Sequence, residues 1–290
     1  MEPQLTIGAS CNLYTTEEAC VRELFRIKWP DGYRCPICRH SQATVIRTRR
    51  LPLYQCKRCR YQTSLTAGTV MEKSKTSLRK WFLAMSWLAQ GISARQLSDA
   101  IQVTYKTAWL IAHKIRHAIH LAESERLAGE VRVHEGRYGA TSFASMFDRH
   151  ARRHPLIAAA SVTPAGALIR VKLHQVPPSH QWGNTVSKLG FEHFIGENVS
   201  AKANVQTAPG IYNAARHPLS MLWRAAARWM NETYFGLLPK HLQAYLDEYA
   251  YRHSLSSSDT QRAGSGAPSL LQACASHPAL TYPQLTRRPA

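Results

Sequence analysis

The sequence predicts a mixed α/β chain built in three successive pieces: a small cysteine-stapled β module, a helical segment, and a larger domain of strands and helices. Three observations carry that reading. Two Cys-x-x-Cys pairs stand near the front, helix-period apolar runs follow them, and strand-type alternation then gives way to further helices. The 290 residues are enough for one large domain or two to three small ones, and 44% hydrophobic residues can build a packed core. Charge is the loudest global signal: 37 Lys and Arg against 18 Asp and Glu, net +19. Such an excess attracts polyanions, above all nucleic acid or an anionic membrane. Residues 1–128 hold 20 Lys and Arg against 9 Asp and Glu, so the attraction is strongest in the front part. No membrane partner is expected, because the longest apolar stretch, Trp81 to Ile92, is too short to span and carries polar residues. The start "MEPQLTIGAS" shows neither a basic beginning nor a long apolar run. A cytoplasmic location is therefore expected, with the seven cysteines reduced unless they bind metal.

The front module rests on Cys35 and Cys38 in "YRCPICRH" and on Cys56 and Cys59 in "YQCKRCRY", with 17 residues between the pairs. Two residues between thiols let both sulfurs reach one ion from a tight turn, and zinc favours four tetrahedral ligands. The intervening "ATVIRTRRLPLYQ" reads as two short strands around a turn. The expectation is a zinc ribbon over residues 1–65, with its core at 33–62 and structural Zn²⁺ on the four thiolates. The alternative, disulfide pairing, calls for an oxidising compartment. Cys11, Cys20 and Cys274 lack partners at ligand spacing and read as ordinary thiols. Arg34, Arg39, Lys57, Arg58 and Arg60 surround the pairs, as solvated surface or as phosphate contacts.

Next, Leu78, Trp81, Phe82, Met85, Leu88 and Ala89 recur at helix spacing, and Gly91 can end that helix. Ser93 and Gln96 form a capping box for a short helix over 93–101, and a longer helix runs from Thr104 to about Leu121. That spacing reads as a helix-turn-helix within 74–123. On the longer helix, Ala108, Ile111, Ala112, Ile115 and Ile119 share one side. Lys106, His113 and His117 lie opposite, with Lys114 and Arg116 on the flanks. Together with Thr107 these are the candidate DNA contacts, a plain helical hairpin with a solvated basic face being the alternative.

"VRVHEGRYGA", Val131 to Ala140, opens like a strand and ends near a lone acid, Glu135. "HPLIAAASV" and "ALIRVKL" around Pro164-Ala165-Gly166 read as a β-hairpin, and "HPLSMLWRAAARWM" and "PKHLQAYLDEYAYRH" as helices. Residues 254–290, rich in Ser, Pro, Ala and Gly, read as a disordered tail.

Several of these stretches are familiar together. "CPIC…CKRC", "TSLTAGTVMEKSKTSLRKWFLAM" and "GISARQLSDAIQVTYKTAWLIAHKIRHAI" resemble the ISXO-like zinc-ribbon transposases of bacterial insertion sequences. "GEVRVHEGRYGA" and "PKHLQAYLDEYAYRHS" resemble the start and end of that family's catalytic domain, so the likeness covers roughly residues 15–253. The resemblance implies an RNase H-like domain over 129–253, in which three carboxylates hold two Mg²⁺ ions for cutting and joining DNA ends. It also implies the terminal repeats of an insertion sequence as the DNA partner, and a homodimer as the oligomer to expect.

Laid on that family's pattern, the first acid falls at His134, beside Glu135. The second falls near Pro178 or Ser179, and the third at Ser220. No Asp or Glu occurs from 149 to 191, and residues 176–190 leave too little chain for the helix and strand expected there. Imidazole is a poor ligand for Mg²⁺, and one carboxylate does not assemble a two-metal site. Besides Glu135, the chain offers Glu130, Asp148, Glu192, Glu197, Glu232, Asp247 and Glu248 from 129 to 253. The sequence therefore reads as a zinc-ribbon transposase by descent, with a shortened catalytic domain. It is either still a transposase or a zinc-dependent DNA-binding protein whose catalysis has been lost.

Overall fold

The computed structural model describes residues 14–139, 153–208, 217–258 and 270–286. The chain divides into two compact units, one formed by residues up to Leu121 together with 268–289, the other by 122–267.

In the first unit, helix α1 (Glu17–Lys28) is capped by Thr16, whose hydroxyl accepts from the Ala19 amide, with Glu17 and Glu18 in its first turn. Three short antiparallel strands follow in the order β1-β2-β3: β1 (Ala43–Ile46), β2 (Leu53–Cys56) and β3 (Gln62–Ser64). Phe25, Trp29, Tyr33 and Tyr54 pack edge to face and stacked between α1 and this sheet. The Lys28 ammonium donates to the carbonyls of Ser64, Leu65 and Ala67, tying the end of α1 to the loop after β3.

Helix α2 (Leu78–Leu88) buries Leu78, Trp81, Phe82, Met85 and Leu88, the stripe expected from the period, and Gly91 follows with φ 80°. Helix α3 (Ala94–Ala100) starts at a complete capping box between Ser93 and Gln96. Helix α4 (Tyr105–Ala122) buries Ala108, Ile111, Ala112, Ile115 and Ile119. All three helices fall where periodicity and caps put them.

The tail differs from expectation. Helix α7, described below, runs on to Ser258, and two short helices, α8 (Leu270–Ser276) and α9 (Tyr282–Thr286), belong to the first unit. Cys274 is fully buried, and its carbonyl accepts from the Val70 amide at 3.0 Å. Ala273, Cys274 and Ala275 are buried in α8, which a sequence without sustained periodicity hides. Residues 259–269 and 287–290 of the expected tail lie outside the described residues, as does Asp148.

The second unit is a four-stranded sheet in the order β6-β5-β4-β9, with helices on both faces. Strands β4 (Glu130–Tyr138), β5 (His154–Val162) and β6 (Leu168–Gln175) are antiparallel neighbours, and β9 (Asn204–Ala208) lies parallel to β4. Gly166, at φ 83°, makes the expected β5–β6 turn. Residues on successive positions face opposite sides. On one side Tyr138, Leu156, Ala158 and Ala160 meet α6 (Pro218–Tyr234) and α7 (Pro239–Ser258). On the other, Val131, Val133, Ile157 and Ala159 meet Phe194 of α5 (Lys188–Asn198). The alanines of β5 let helices approach closely from both sides.

The expected gap is filled differently from the sequence reading. Residues 176–190 hold a 3-10 turn (Pro178–His180) and a small hairpin of β7 (Gln181–Trp182) and β8 (Thr185–Val186). The helix and the parallel strand both exist, but they come later, as α5 and β9.

Candidate functional site

The four cysteines close one site. Cys35 and Cys38 sit on the loop before β1, Cys56 ends β2 and Cys59 lies on the turn before β3. The ribbon register pairs Ala43 with Cys56, which brings the second pair up to the first. All four sulfurs lie within 4.8 Å of one another, with Cys35–Cys59 at 3.5 Å and Cys38–Cys56 at 3.6 Å. A tetrahedral ion with Zn–S bonds of about 2.3 Å holds sulfurs about 3.8 Å apart, so the cluster fits zinc. The two halves repeat one geometry. Arg39 and Arg60, each directly after the second cysteine, adopt φ 61°, and their amides donate to the carbonyls of Cys35 and Cys56 at 3.0 Å. Desolvation pushes the Cys35 thiol up, but backbone N–H groups at Cys38 and Ile37 outweigh it and bring it down to about 6. Those donors stabilise thiolate, the form that zinc binds. This is a structural Zn²⁺ site, closed by four protein ligands.

The basic residues expected on α4 separate into two groups. Lys106 is exposed, Thr107 and Lys114 are half-buried, and His117 is half-buried. His113 and Arg116 do not face solvent: they are 3% and 1% exposed. For His113 the tertiary contacts are visible: the Trp109 ring lies tilted against it with centroids 4.2 Å apart, and Tyr282 of α9 packs on Trp109 in turn. Burial lowers the His117 pKa, and His120 and His277 add to the effect. The helical wheel shows a polar face here, but cannot show that residues from the far end of the chain pack beside it.

In the second unit, strand alternation decides the roles of His134 and Glu135. His134 faces α6, where its Nε2 lies 3.4 Å from the Ser220 hydroxyl. His134 is 3% exposed and Ser220 is fully buried. His134 Nδ1 bonds to the Glu135 carbonyl, so both ring nitrogens are engaged within the fold. His217, whose Nδ1 accepts from the Leu219 amide, lies with its ring 4.8 Å from that of His134. Burial lowers the His217 pKa, and the neighbouring His134 and Arg132 add to the effect. Glu135 points to the opposite face and pairs with Arg137 at 3.7 Å.

Two of the three expected acid positions, His134 and Ser220, are thus brought together across 86 residues of chain. Pro178 and Ser179 are not: they lie in the 3-10 turn, off the four-stranded sheet. The strand parallel to β4 ends at Ala208, which stands in register with His134. Counting back along the sequence missed this because it assumed that the lost residues were the helix and strand themselves. Among the described residues, the four cysteines are the one group of three or more His, Cys, Asp or Glu able to hold a metal ion.

The ribbon and its thiol cluster define a zinc-ribbon site, and the comparisons with known proteins say what the chain is similar to. Residues 15–62 match a family described as a transposase zinc-ribbon domain. An uncharacterized protein in transposable element ISH50 of Halobacterium salinarum is 35% identical over 126 residues, 42% of this chain and 42% of that relative. The chain therefore spans less than half the length of the relative it matches. No solved structure matches. The resemblance to zinc-ribbon transposases of insertion sequences holds on these two findings. No helix among the described residues is long and apolar enough to cross a membrane.

Proposed function

We propose that this chain binds DNA through its zinc ribbon and the helix-turn-helix formed by α3 and α4, and that it descends from an insertion-sequence transposase whose two-metal centre it no longer carries. The DNA-binding half is supported by the transposase zinc-ribbon match and by the exposed cations Lys57, Arg58, Arg60 and Lys106. The order β6-β5-β4-β9, with β9 parallel to β4, agrees with an RNase H-like sheet. The observation that carries the loss of catalysis is the meeting of His134 with Ser220. Two-metal phosphodiester chemistry needs oxygen ligands on both sides of the phosphate. At this place the chain offers an imidazole with both nitrogens engaged and a buried hydroxyl. The end of β9 adds no acid, since no Asp or Glu occurs from 199 to 231. Glu135, the surviving acid, faces the other side of the sheet, so Mg²⁺ has no carboxylate set here. A homodimer on paired terminal repeats, and a cytoplasmic location, belong to the same reading.

The test uses the zinc-loaded chain and a labelled insertion-sequence end. Duplex binding should weaken steeply with salt, and no Mg²⁺- or Mn²⁺-dependent nicking should occur. Metal-dependent cleavage abolished by Glu135→Gln would restore the competing reading, an active transposase. Absence of any salt-dependent duplex binding would remove the DNA-binding half.

A further inference from the structure

A cavity of about 320 Å³ lies in the first unit between the loop before α2 and the start of α4. Four lysines line it: Lys73 and Lys75 from the loop, Lys106 and Lys114 from the helix. Lys106 and Lys114 are two turns apart on α4, with Leu110 between them, so one helix face presents both. Leu110, Ile111 and Trp81 supply apolar lining. No carboxylate lines the cavity, and none of the four ammonium groups makes an ion pair among the described residues. Lys106 meets the ring of Tyr282, with Nζ 5.2 Å from its centroid.

Two details point to an anion rather than to a solvated charge patch. First, Ser74 Oγ accepts from Trp81 Nε1 at 3.0 Å and from the Thr76 amide at 3.2 Å, yet donates its proton to no described residue. A hydroxyl with both acceptor positions used and its proton free is set to donate to an incoming oxygen. Second, Lys114 is half withdrawn from water, and burial pulls its pKa below the ordinary lysine value. Glu72, the acid whose field reaches it, instead accepts from the Gly68 amide at 2.8 Å. An ammonium drawn out of water without an ion-pair partner gains most from a bound anion.

We propose that this lysine-lined cavity is a phosphoryl-binding site, with Lys73, Lys75 and Lys114 as its cations and the Ser74 hydroxyl as a further donor. The site deepens the DNA-binding reading and rests on it for the source of the phosphate, which is a phosphodiester of the DNA backbone. The same chemistry would accept a free phosphate, and two arms of one experiment separate the sources.

In the first arm, duplex affinity of the zinc-loaded full chain is followed from 50 to 250 mM salt. Each lost phosphate contact lowers the slope of log K against log salt by about 0.9, so Lys73→Gln with Lys75→Gln should lower it by about 1.8. Removing the same charge elsewhere, by Lys188→Gln with Lys202→Gln, should leave the slope unchanged. In the second arm, phosphorus NMR follows line broadening of inorganic phosphate by the wild-type chain and by Lys114→Gln. A slope loss confined to the cavity variants supports the site with DNA as the source. Broadening lost in Lys114→Gln, with no slope loss, supports the site with free phosphate as the source. Wild-type DNA binding with identical slopes in all variants and no broadening overturns the cavity proposal and leaves the DNA reading standing. No DNA binding by the wild type, with broadening that depends on Lys114, removes the DNA reading and leaves the cavity.

Discussion

Replacing Gly136 by alanine tests the contact that brings His134 to Ser220. A Cβ built on Gly136 would lie 2.8, 2.9 and 3.0 Å from three indole carbons of Trp223, one of them the stem atom Cγ. Ordinary carbon contacts lie near 3.5–4.0 Å, so the ring or the helix must retreat by about half an ångström or more. Gly136 is two residues after His134 on the same strand face, and Trp223 is three residues after Ser220 on α6, so any retreat opens the His134–Ser220 contact as well. Overpacking of this kind costs about 1–3 kcal/mol. For a unit of this size that is a fall of about 2–12 °C in Tm. Scanning calorimetry of wild type, Gly136→Ala, Trp223→Leu and the double variant provides a cycle. The smaller side chain should recover part of the alanine loss, giving a coupling of about 1 kcal/mol or more. An unchanged Tm for Gly136→Ala, or strictly additive effects, would refute the close β4–α6 register and with it the argument that His134 and Ser220 occupy one place.

Cys35→Ser should drop bound zinc from about one ion per chain to near zero, because a structural site needs all four ligands, whereas Cys274→Ser should keep the metal; metal analysis after gel filtration decides it, and full zinc in Cys35→Ser would remove the site. Acid should destabilise the fold through histidines that burial keeps neutral. Burial lowers the pKa values of His117, His174, His217 and His253 below the ordinary 6.5. The unfolded chain then binds more protons near and below pH 6.5, so stability present above that pH is lost as pH falls. Tm measured between pH 8 and 5.5 should therefore decline below about 6.5, and the decline should be shallower in His174→Gln; a rise on acidification would contradict the sign.

What could be read from the sequence was local. The two Cys-x-x-Cys pairs, the Ser93–Gln96 capping box and the apolar periods of α2 and α4 each lie within a few turns of chain, and the described structure agrees with each. Spacing alone sets where a zinc ligand or a helix start stands, because reach and backbone satisfaction are decided within those few residues. The signal for the cavity was also present in the stretch "EKSKTS", where two lysines alternate with hydroxyl residues, but nothing local says that it faces Lys106 and Lys114.

The rest was decided at long range. Whether His113 faces water depends on what packs beside α4, and Tyr282 comes from 169 residues beyond His113 to stand against Trp109. Where the parallel strand lies depends on a register partner, and the chain supplies it at 204–208 rather than in the stretch that counting had marked. Which of His134 and Glu135 looks toward Ser220 follows from the strand's alternation only once α6 is known to lie on that face. Sequence thus determined the zinc site and the helices α2, α3 and α4 by itself. The tertiary structure decided which polar side chains share a place, because burial and pairing are properties of neighbours that the chain brings together only on folding.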